Sequence, residues 1–382
     1  MNKGLLALAG GTFALGMSEY SMMCILPQVA EDLAVSIPQA GHLISAYAIG
    51  VCVGAFSLVF MHKLRPRTIL TILVAVIIAG ALLALSSVNY AMLLAARFIE
   101  GLPHGAYFGA ASIVAVKLAD EAHKTSAVAT MCAGMTVANL MGNPICTVLS
   151  ENVSWRLTFA IVLLAGVVVM GLIHKYVPDI EALPDHGIRS QFHFLRKPAP
   201  WLIIFATMLG NGGVFCWYSY ISPLLQAESG FSPAVIPYLM VVAGFGMFIG
   251  NLLGGKLSDR FSPPKVAGCL QLTAAVALLL IFFFSGCGAV SVLLMFVCCA
   301  CLFGVSSPQQ FLILKHAEGG ELLGGCCIQV AFNLGNAIGA YLGGLPVDAG
   351  MGYNCCALTG VPMALVGMCC LFVLSRAKYA RP

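Results

Sequence analysis

The sequence predicts an all-α integral membrane protein with twelve transmembrane helices arranged in two pseudo-symmetric six-helix bundles. Three observations predict this fold class. The composition is too apolar for a soluble domain, apolar stretches recur along the chain, and a polar segment divides these stretches into two sets of six. Hydrophobic residues make up 60% of the chain, charged residues make up 9%, and the mean hydropathy is +0.96, whereas soluble proteins have roughly 45 to 50% apolar residues.

Each apolar stretch is close to the length of helix that crosses a bilayer, about 20 residues. In the first half of the chain the stretches cover residues 4–29, 39–61, 69–86, 91–116, 127–149 and 157–176. In the second half they cover residues 200–225, 234–255, 266–285, 291–314, 322–346 and 354–375. We therefore expect six-helix domains at residues 1–176 and 200–382. Residues 177–199 form the expected cytoplasmic linker, which contains Pro184, Asp185, His186 and Arg189.

The distribution of Lys and Arg predicts the orientation of the helices. If the N-terminus lies inside, 17 of the 19 Lys and Arg fall in cytoplasmic segments. The two others are Arg97, which lies within an apolar stretch, and Arg156, which lies on the outer side. Both termini are therefore expected in the cytoplasm, because cytoplasmic segments carry an excess of basic residues. The net charge of +4 then reflects membrane insertion, and no nucleic-acid partner is expected.

The two halves also resemble each other. Pro27 is expected to end the first helix, and Pro223 lies near the end of the seventh, 196 residues later. The loop at residues 62–66 corresponds to residues 259–263 at an offset of 197. Two parallel repeats around a central cavity are typical of secondary transporters, in which access to the cavity alternates between the two sides of the membrane.

Four ionisable side chains lie inside the apolar stretches: Glu19, Arg97, Glu100 and His104. Because a charged side chain at the centre of a spanning helix costs roughly 2.5 to 3.5 kcal/mol on insertion scales, we expect these residues to be functional. Arg97, Glu100 and His104 are spaced i, i+3 and i+7, so they share one helix face, which must point into the bundle.

A carboxylate beside Arg stays ionised, whereas the same group in an apolar pocket takes up a proton, and this difference predicts proton coupling. Glu19 is the first choice for the proton carrier. Glu100 either carries the proton or compensates the charge of Arg97. His104 either titrates or serves as a hydrogen-bonding packing group.

Two stretches resemble motifs of the major facilitator superfamily. The stretch Arg97–Gly109 is similar to the R-x-x-x-G motif of its fourth helix, and Gly134–Pro144 is similar to the Gly/Pro-rich antiporter motif of its fifth. The resemblance covers the whole chain and is to drug:proton antiporters of the arabinose-efflux-permease type. It implies the fold of that superfamily, export from a bacterial inner membrane, no cofactor and no enzymatic activity.

The resemblance also implies gating residues. The loop motif G-x-x-x-D-R is intact at residues 255–260, so Asp259 and Arg260 are expected to hold an inner gate. In the first half the Gly and Asp positions are Leu58 and His62, which argues against a second latch there. Gly142 and Pro144 are expected to bend the fifth helix and to seal it against leakage.

The second half has no ionisable residue deep in its apolar stretches, so we expect it mainly to shape the solute site. Polar and aromatic side chains from both halves are the candidates for solute contact: Tyr20, Tyr107, Asn211, Trp217, Tyr218, Tyr220, Gln309, Asn333 and Asn336. For the two last residues, hydrogen bonding between helices is the alternative. The 16 Cys are expected to pack the helices, and no metal is predicted.

The sequence thus predicts a monomeric, proton-coupled exporter of a drug, a sugar or a nucleoside. One alternative is a facilitative or proton-symport importer of a sugar or another metabolite. Another is a flippase of the same fold that moves a lipid or a lipophile. An enzyme is not expected, because the longest loop, at residues 177–199, is too short for a soluble catalytic domain.

Overall fold

A computed structural model describes residues 2–35, 37–61, 63–182 and 190–376. These residues form helices, turns and irregular connections and no β-strand, so the all-helical prediction is confirmed for them. The loop residue His62 and the linker residues Pro184, Asp185, His186 and Arg189 lie outside the described residues. The chain divides into two compact units, each of which is described by itself.

The first unit consists of Met1–Phe194 and Gly319–Val330. Its helices are α1 (Lys3–Asp32), α2 (Ile37–Ala55), α3 (Ser57–Met61), α4 (Pro66–Leu85), α5 (Tyr90–Lys117), α6 (Lys124–Val137), α7 (Asn143–Asn152) and α8 (Arg156–Tyr176). A π-helical turn at Ala138–Gly142 joins α6 to α7. Short 3₁₀ turns lie at Glu121–His123 and Ser190–Arg196.

The second unit consists of Leu195–Glu318 and Ala331–Pro382. Its helices are α9 (Pro198–Phe205), α10 (Gly212–Tyr218), α11 (Ile221–Ala227), α12 (Ile236–Arg260), α13 (Pro263–Phe284), α14 (Gly288–Gly304), α15 (Ser306–His316), the second part of α16 (Glu321–Asp348) and α17 (Asn354–Leu374). A π-helical turn at Ala206–Asn211 joins α9 to α10, and a 3₁₀ turn lies at Pro233–Val235. The predicted domain limits stay predictions.

Local sequence signals explain where several helices begin. Asn89 caps α5, because its side-chain oxygen accepts a hydrogen bond of 2.9 Å from Met92 N. Proline lies in the first turn of α4 and of α13, where a missing N–H group costs no hydrogen bond. Pro27 does not end α1 as expected, because the helix continues to Asp32. In a bilayer no water competes for the backbone groups, so one missing N–H bends a helix more readily than it ends it.

Nine helical segments of the described chain are long and apolar enough to cross a bilayer. They are Pro66–Leu85, Glu121–Ser150, Arg156–Tyr176, Pro198–Ala227, Pro233–Arg260, Pro263–Phe284, Gly288–His316, Glu321–Asp348 and Asn354–Leu374. Leu164, Phe283 and Leu293 are 65%, 65% and 62% exposed, as side chains that face lipid would be. The count of twelve and the cytoplasmic termini stay predictions.

Glycines set the same close helix contact in each unit. In the first unit, a Cβ atom at Gly54 of α2 would lie 1.8 Å from the carbonyl oxygen of Leu102 in α5. In the second unit, a Cβ atom at Gly254 of α12 would lie 1.9 Å from the carbonyl oxygen of Gly304 in α14. Only glycine permits backbones to approach this closely. The two glycines are 200 residues apart, which agrees with an internal repeat.

Candidate functional site

The structure buries the charged face of α5. Arg97, Glu100 and His104 are 0%, 1% and 1% exposed. Their spacing of three and four residues places them on one side of the helix, and this side faces the interior of the first unit. None of the three contacts the surface that would meet lipid.

Arg97 forms an ion pair with Glu100 of the same helix. Its Nη1 lies 2.5 Å from Glu100 Oε2, and it also donates hydrogen bonds to the carbonyl and hydroxyl oxygens of Ser18 in α1, at 2.9 and 3.2 Å. The guanidinium group lies over the ring of Tyr47 in α2, 4.5 Å from its centroid. An unpaired buried charge is strongly unfavourable, so these contacts make the buried Arg97 tolerable.

The ion pair is only partly satisfied. Within the described parts of the chain, Arg97 Nε, Arg97 Nη2 and Glu100 Oε1 have no hydrogen-bond partner. Buried polar groups without partners destabilise a fold. Among the described residues, the ion pair therefore does not use its full hydrogen-bonding capacity.

His104 lies close to both Tyr47 and Glu19. Its Nδ1 lies 2.8 Å from the hydroxyl oxygen of Tyr47, its Nε2 lies 4.0 Å from Glu19 Oε2, and its ring stacks on Phe108. The side chain of Glu19 is 12% exposed, whereas that of Glu100 is fully buried. Of the four ionisable side chains, Glu19 is therefore the least buried.

The structure brings together the four residues that the sequence singled out. Arg97 pairs with Glu100, and Glu19 lies against His104, although the charge of Arg97 also acts on Glu19. Tyr47 and Ser18 complete the cluster, and sequence reasoning missed both. Both side chains are neutral, whereas the apolar stretches were searched for ionisable residues, so the two were not identified.

The two aromatic residues predicted for solute contact in the first unit differ in exposure. Tyr107 is fully buried in α5, and its hydroxyl group donates a hydrogen bond of 3.1 Å to Leu8 O in α1. Tyr20 is half-buried on α1, one residue after Glu19. Tyr20 is thus the better placed of the two for contact with a solute.

In the second unit, a chain of three buried amides crosses three elements. Gln271 Nε2 of α13 donates to Asn211 Oδ1 in the π turn at 3.2 Å, and Asn211 Nδ2 donates to Gln309 Oε1 of α15 at 3.4 Å. The sequence predicted Asn211 and Gln309 but missed Gln271. Gln271 is the only amide or charged residue in the apolar stretch 266–285, a signal that would have identified it.

The other residues of the second unit that were predicted to contact the solute lie in or next to α10 and α16. Trp217 is buried, and the centroid of its ring lies 6.2 Å from the ring centroid of the half-buried Tyr218. The hydroxyl group of Tyr220 donates to Ala340 O at 3.0 Å. Asn333 and Asn336 are half-buried on α16. Among the described residues, no cluster of three or more His, Cys, Asp and Glu is arranged to hold a metal ion.

A second ion pair lies at helix ends of the first unit. Arg156 Nη1 lies 2.7 Å from Asp32 Oδ2, Trp155 Nε1 donates to the same oxygen at 3.1 Å, and Arg156 Nη2 donates to Ser87 O at 3.0 Å. The Arg156 guanidinium and the Trp155 indole hold the pKa of Asp32 below its usual range. These contacts connect the end of α1, the start of α8 and the turn after α4.

Comparison with known proteins identifies the family. A model of the Major Facilitator Superfamily matches residues 8–324. AraJ of Escherichia coli (strain K12) is 44% identical over 379 residues, which cover 99% of this chain and 96% of AraJ. The chain belongs to the Major Facilitator Superfamily. The inner membrane transport protein YdhP of Escherichia coli (strain K12) is 37% identical, with 99% of this chain and 97% of YdhP covered.

More distant members of the superfamily support the same assignment. The chloramphenicol resistance protein of Streptomyces lividans is 28% identical, with 88% of this chain and 86% of that protein covered. The crystal structure of the Escherichia coli fucose:proton symporter FucP superposes with a TM-score of 0.78 at 19% identity, covering 98% of both chains. The predicted superfamily fold is therefore confirmed. This fold and family are those of multi-pass membrane transporters and not of enzymes.

The residues that the superfamily resemblance assigned to gating lie at two helix ends. Pro144 lies in the first turn of α7, directly after the π turn that contains Gly142. Pro144 has no N–H to bond the carbonyl of residue 140, and a π turn accommodates this break. Asp259 and Arg260 are the last residues of α12, where Arg260 lies 5.5 Å from the ring centroid of Phe261. Their gating role stays a prediction.

Proposed function

We propose that this protein is a proton-coupled exporter that moves a small organic solute out of the cell in exchange for protons. It operates by alternating access, with twelve spanning helices in a bacterial inner membrane and both termini in the cytoplasm. One observation carries the proposal: Glu19, His104, Arg97 and Glu100 form a buried cluster in which Glu19 is the most exposed member.

Glu19 is the proton carrier in this proposal. Arg97 neutralises Glu100 through a direct ion pair, so Glu100 serves as a fixed counter-charge. Glu19 Oε2 lies 4.0 Å from His104 Nε2, and the side chain of Glu19 is 12% exposed. A carboxylate in this position changes its proton affinity when its surroundings change between an aqueous and an apolar state.

The available energy is sufficient for uphill transport. One pH unit supplies about 1.4 kcal/mol per proton, and 100 mV supplies about 2.3 kcal/mol per charge moved. Exchange of one proton for one neutral molecule across one pH unit therefore supports a concentration ratio of about ten. A single carrier carboxylate is enough for this stoichiometry.

The second unit supplies contacts for a solute without negative charge. Its predicted contact residues are amides and aromatic rings, which hydrogen-bond to hydroxyl groups or ring nitrogens and stack on flat apolar surfaces. Chloramphenicol, pentoses such as arabinose, and purine nucleosides have these features. The relative from Streptomyces lividans is a chloramphenicol resistance protein, which makes this compound the first to test.

Export is proposed because of the Gly/Pro-rich stretch at 134–144. Gly134 brings α6 against α1, since a Cβ atom there would lie 1.8 Å from Ala9 O. Such close packing limits leakage of solute or protons along the helix. Import of a sugar by symport and flipping of a lipid are the alternatives, and both are outcomes of the transport assay.

The first experiment identifies the solute. The purified protein is screened by thermal shift against chloramphenicol, arabinose, adenosine and a lipophilic cation, because a ligand that binds the folded state raises Tm. The hit is then used as radiolabelled solute in proteoliposomes with an imposed pH gradient. Movement of solute against the proton flow supports export, movement with it supports symport import, and movement that ignores the gradient supports a facilitator.

Glu19→Gln tests the carrier assignment. We expect this variant to lose the roughly tenfold accumulation that one pH unit supports, because an amide does not take up or release a proton. Solute counterflow without a gradient is expected to remain. Glu31→Gln is the matched control, since it makes the same change at an exposed position of the same helix. Unchanged gradient-driven accumulation in Glu19→Gln would remove Glu19 as the carrier.

A further inference from the structure

Tyr47 of α2 contacts both parts of the charged cluster. It is 2% exposed. Its hydroxyl oxygen lies 2.8 Å from His104 Nδ1 and 3.5 Å from Leu15 O, and its ring face lies 4.5 Å from the Arg97 guanidinium carbon. One end of the side chain therefore meets the His104–Glu19 pair, and its face meets the Arg97–Glu100 pair.

The backbone fixes the place of this ring. A Cβ atom at Gly101 would lie 2.2 Å from Tyr47 O, so α2 and α5 meet at this point with no side chain between them. The rings of Tyr47 and His104 are perpendicular, with centroids 5.8 Å apart. Because the backbone of Tyr47 is fixed, its ring moves only by rotation about the side-chain bonds. A displacement of the Tyr47 hydroxyl group therefore also displaces the ring face that lies against Arg97.

The charge of Glu19 acts on Tyr47 through the two nitrogens of His104. Glu19 Oε2 lies 4.0 Å from His104 Nε2, which has no hydrogen-bond partner among the described residues. The charge of a carboxylate at this distance favours the N–H on Nε2, which leaves Nδ1 to accept from the Tyr47 hydroxyl. When Glu19 is neutral, this preference disappears, and the hydroxyl group has a second acceptor in Leu15 O. The hydroxyl orientation of Tyr47 therefore depends on whether Glu19 carries a proton.

We propose that Tyr47 is a positioning residue that transmits the protonation state of Glu19, through His104, to the Arg97–Glu100 ion pair. The proposal deepens the proposed function and rests on it, because it names the residue through which proton uptake at Glu19 affects the buried Arg97–Glu100 ion pair. Four charged or titratable groups act on Tyr47 in this cluster, namely Glu19 from α1 and Arg97, Glu100 and His104 from α5, and the neutral Ser18 of α1 also interacts with it.

Nuclear magnetic resonance tests this link without a transported solute. The full chain is labelled with ¹⁵N at histidine and arginine side chains, and the His104 and Arg97 signals are assigned with His104→Gln and Arg97→Lys. In the wild type, we expect a step with pH in both signals at one midpoint, and we expect both steps to vanish in Glu19→Gln.

Tyr47→Phe is expected to keep the step at His104 and to reduce the step at Arg97 to the part caused by the charge of Glu19 acting directly on Arg97, because the hydroxyl group that links His104 to Arg97 is gone. Tyr90→Phe is the matched control: the Tyr90 hydroxyl also joins α5 to α2, 2.9 Å from Gln39 O and 3.5 Å from His42 Nδ1, but at an exposed position. We expect it to keep both steps. An Arg97 step that is unchanged in Tyr47→Phe overturns the proposal.

A second measurement covers the case in which Tyr47→Phe does not fold. Tyrosine labelled with ¹³C at Cζ in the otherwise wild-type chain must show the same pH step at Tyr47, and this step must vanish in Glu19→Gln. A Tyr47 signal that ignores pH overturns the proposal. Failure of the proposed function is distinguishable, because it appears as absent gradient-driven transport in the wild type, whatever the nuclear magnetic resonance signals show.

Discussion

The two units contain buried polar clusters of opposite character. In the first unit, an Arg, two Glu and a His meet around Tyr47, and one carboxylate is partly exposed. In the second unit, Gln271, Asn211 and Gln309 form a chain of neutral amides. Both clusters involve the interior faces of several helices, but only the first changes its charge when a proton arrives.

This difference separates two tasks that a coupled transporter must perform. A charge that appears and disappears with pH changes the electrostatic energy of its surroundings by several kcal/mol in a medium of low dielectric constant. A neutral amide exerts a much smaller and nearly constant effect, and it discriminates solutes by hydrogen-bond geometry. This contrast supports the proposal that the first unit handles the proton and the second recognises the solute.

The largest expected effect comes from breaking the charged cluster. Glu100→Gln leaves Arg97 as a buried charge without a counter-charge, and we expect a loss of about 3 to 5 kcal/mol in stability, as found when one partner of a buried pair is removed. Thermal unfolding of the purified protein in detergent measures this loss as a lower Tm.

The matched control removes both charges. In the double variant Arg97→Met with Glu100→Met, apolar side chains of similar length replace the pair, and we expect most of the stability to return while gradient-driven transport is lost. A single variant as stable as the double variant would show that the pair is not an energetic unit.

The all-helical superfamily fold was predictable because it depends on composition and length, which follow from the cost of placing polar groups in hydrocarbon. The count of twelve spans, the domain limits and the orientation inferred from the basic residues stay predictions. The burial of Arg97, Glu100 and His104 was predictable for the same reason, since three ionisable residues at i, i+3 and i+7 have only one face to share.

The pairing within the cluster was not predictable from the sequence. Which carboxylate meets Arg97 depends on the rotation of α1 about its axis and on side-chain rotamers, and the helical period gives neither. Tyr47 was missed because a tyrosine in an apolar stretch resembles an ordinary packing residue. The π turn at Ala206–Asn211 was missed because no proline marks it, whereas Pro144 marks the one at Ala138–Gly142.

A smaller effect is expected from breaking the amide chain. A Cβ atom at Gly210 would lie 2.4 Å from Gln271 Nε2, so Gly210→Ala displaces the amide group of Gln271 from Asn211. The acceptor Asn211 Oδ1 then loses its donor in a buried place, at a cost of about 1 to 3 kcal/mol. Thermal unfolding measures the loss, and binding of the solute identified by the thermal-shift screen is expected to weaken as well.

Gly171→Ala is the control for Gly210→Ala. It makes the same substitution in α8, where a Cβ atom would have no neighbour within 4 Å. Helix propensity alone then predicts that the free energy of unfolding rises by up to about 1 kcal/mol. Equal stabilities of the two variants would mean that the amide chain contributes nothing to the second unit.

The smallest effect concerns the ion pair at the helix ends of the first unit. The pKa of Asp32 is lowered in the folded protein, chiefly by its hydrogen bond from Arg156. A group with a lowered pKa stabilises the fold fully above its unfolded value, about 3.9 for Asp, and this stabilisation is lost as pH falls through the folded value. Because Asp32 is 45% exposed, solvent screening keeps the effect small.

Asp32→Asn tests whether the pH response extends beyond the buried cluster. We expect the variant to be slightly less stable than the wild type at pH 6, and we expect the two unfolding temperatures to converge as pH falls below the unfolded Asp value of about 3.9 and through the lower folded value. Asp348→Asn makes the same change at the exposed last residue of α16 in the second unit. If the Asp348 variant showed the larger convergence, the second unit would also carry a pH-dependent charge, and the assignment of proton responses to the first unit would fail.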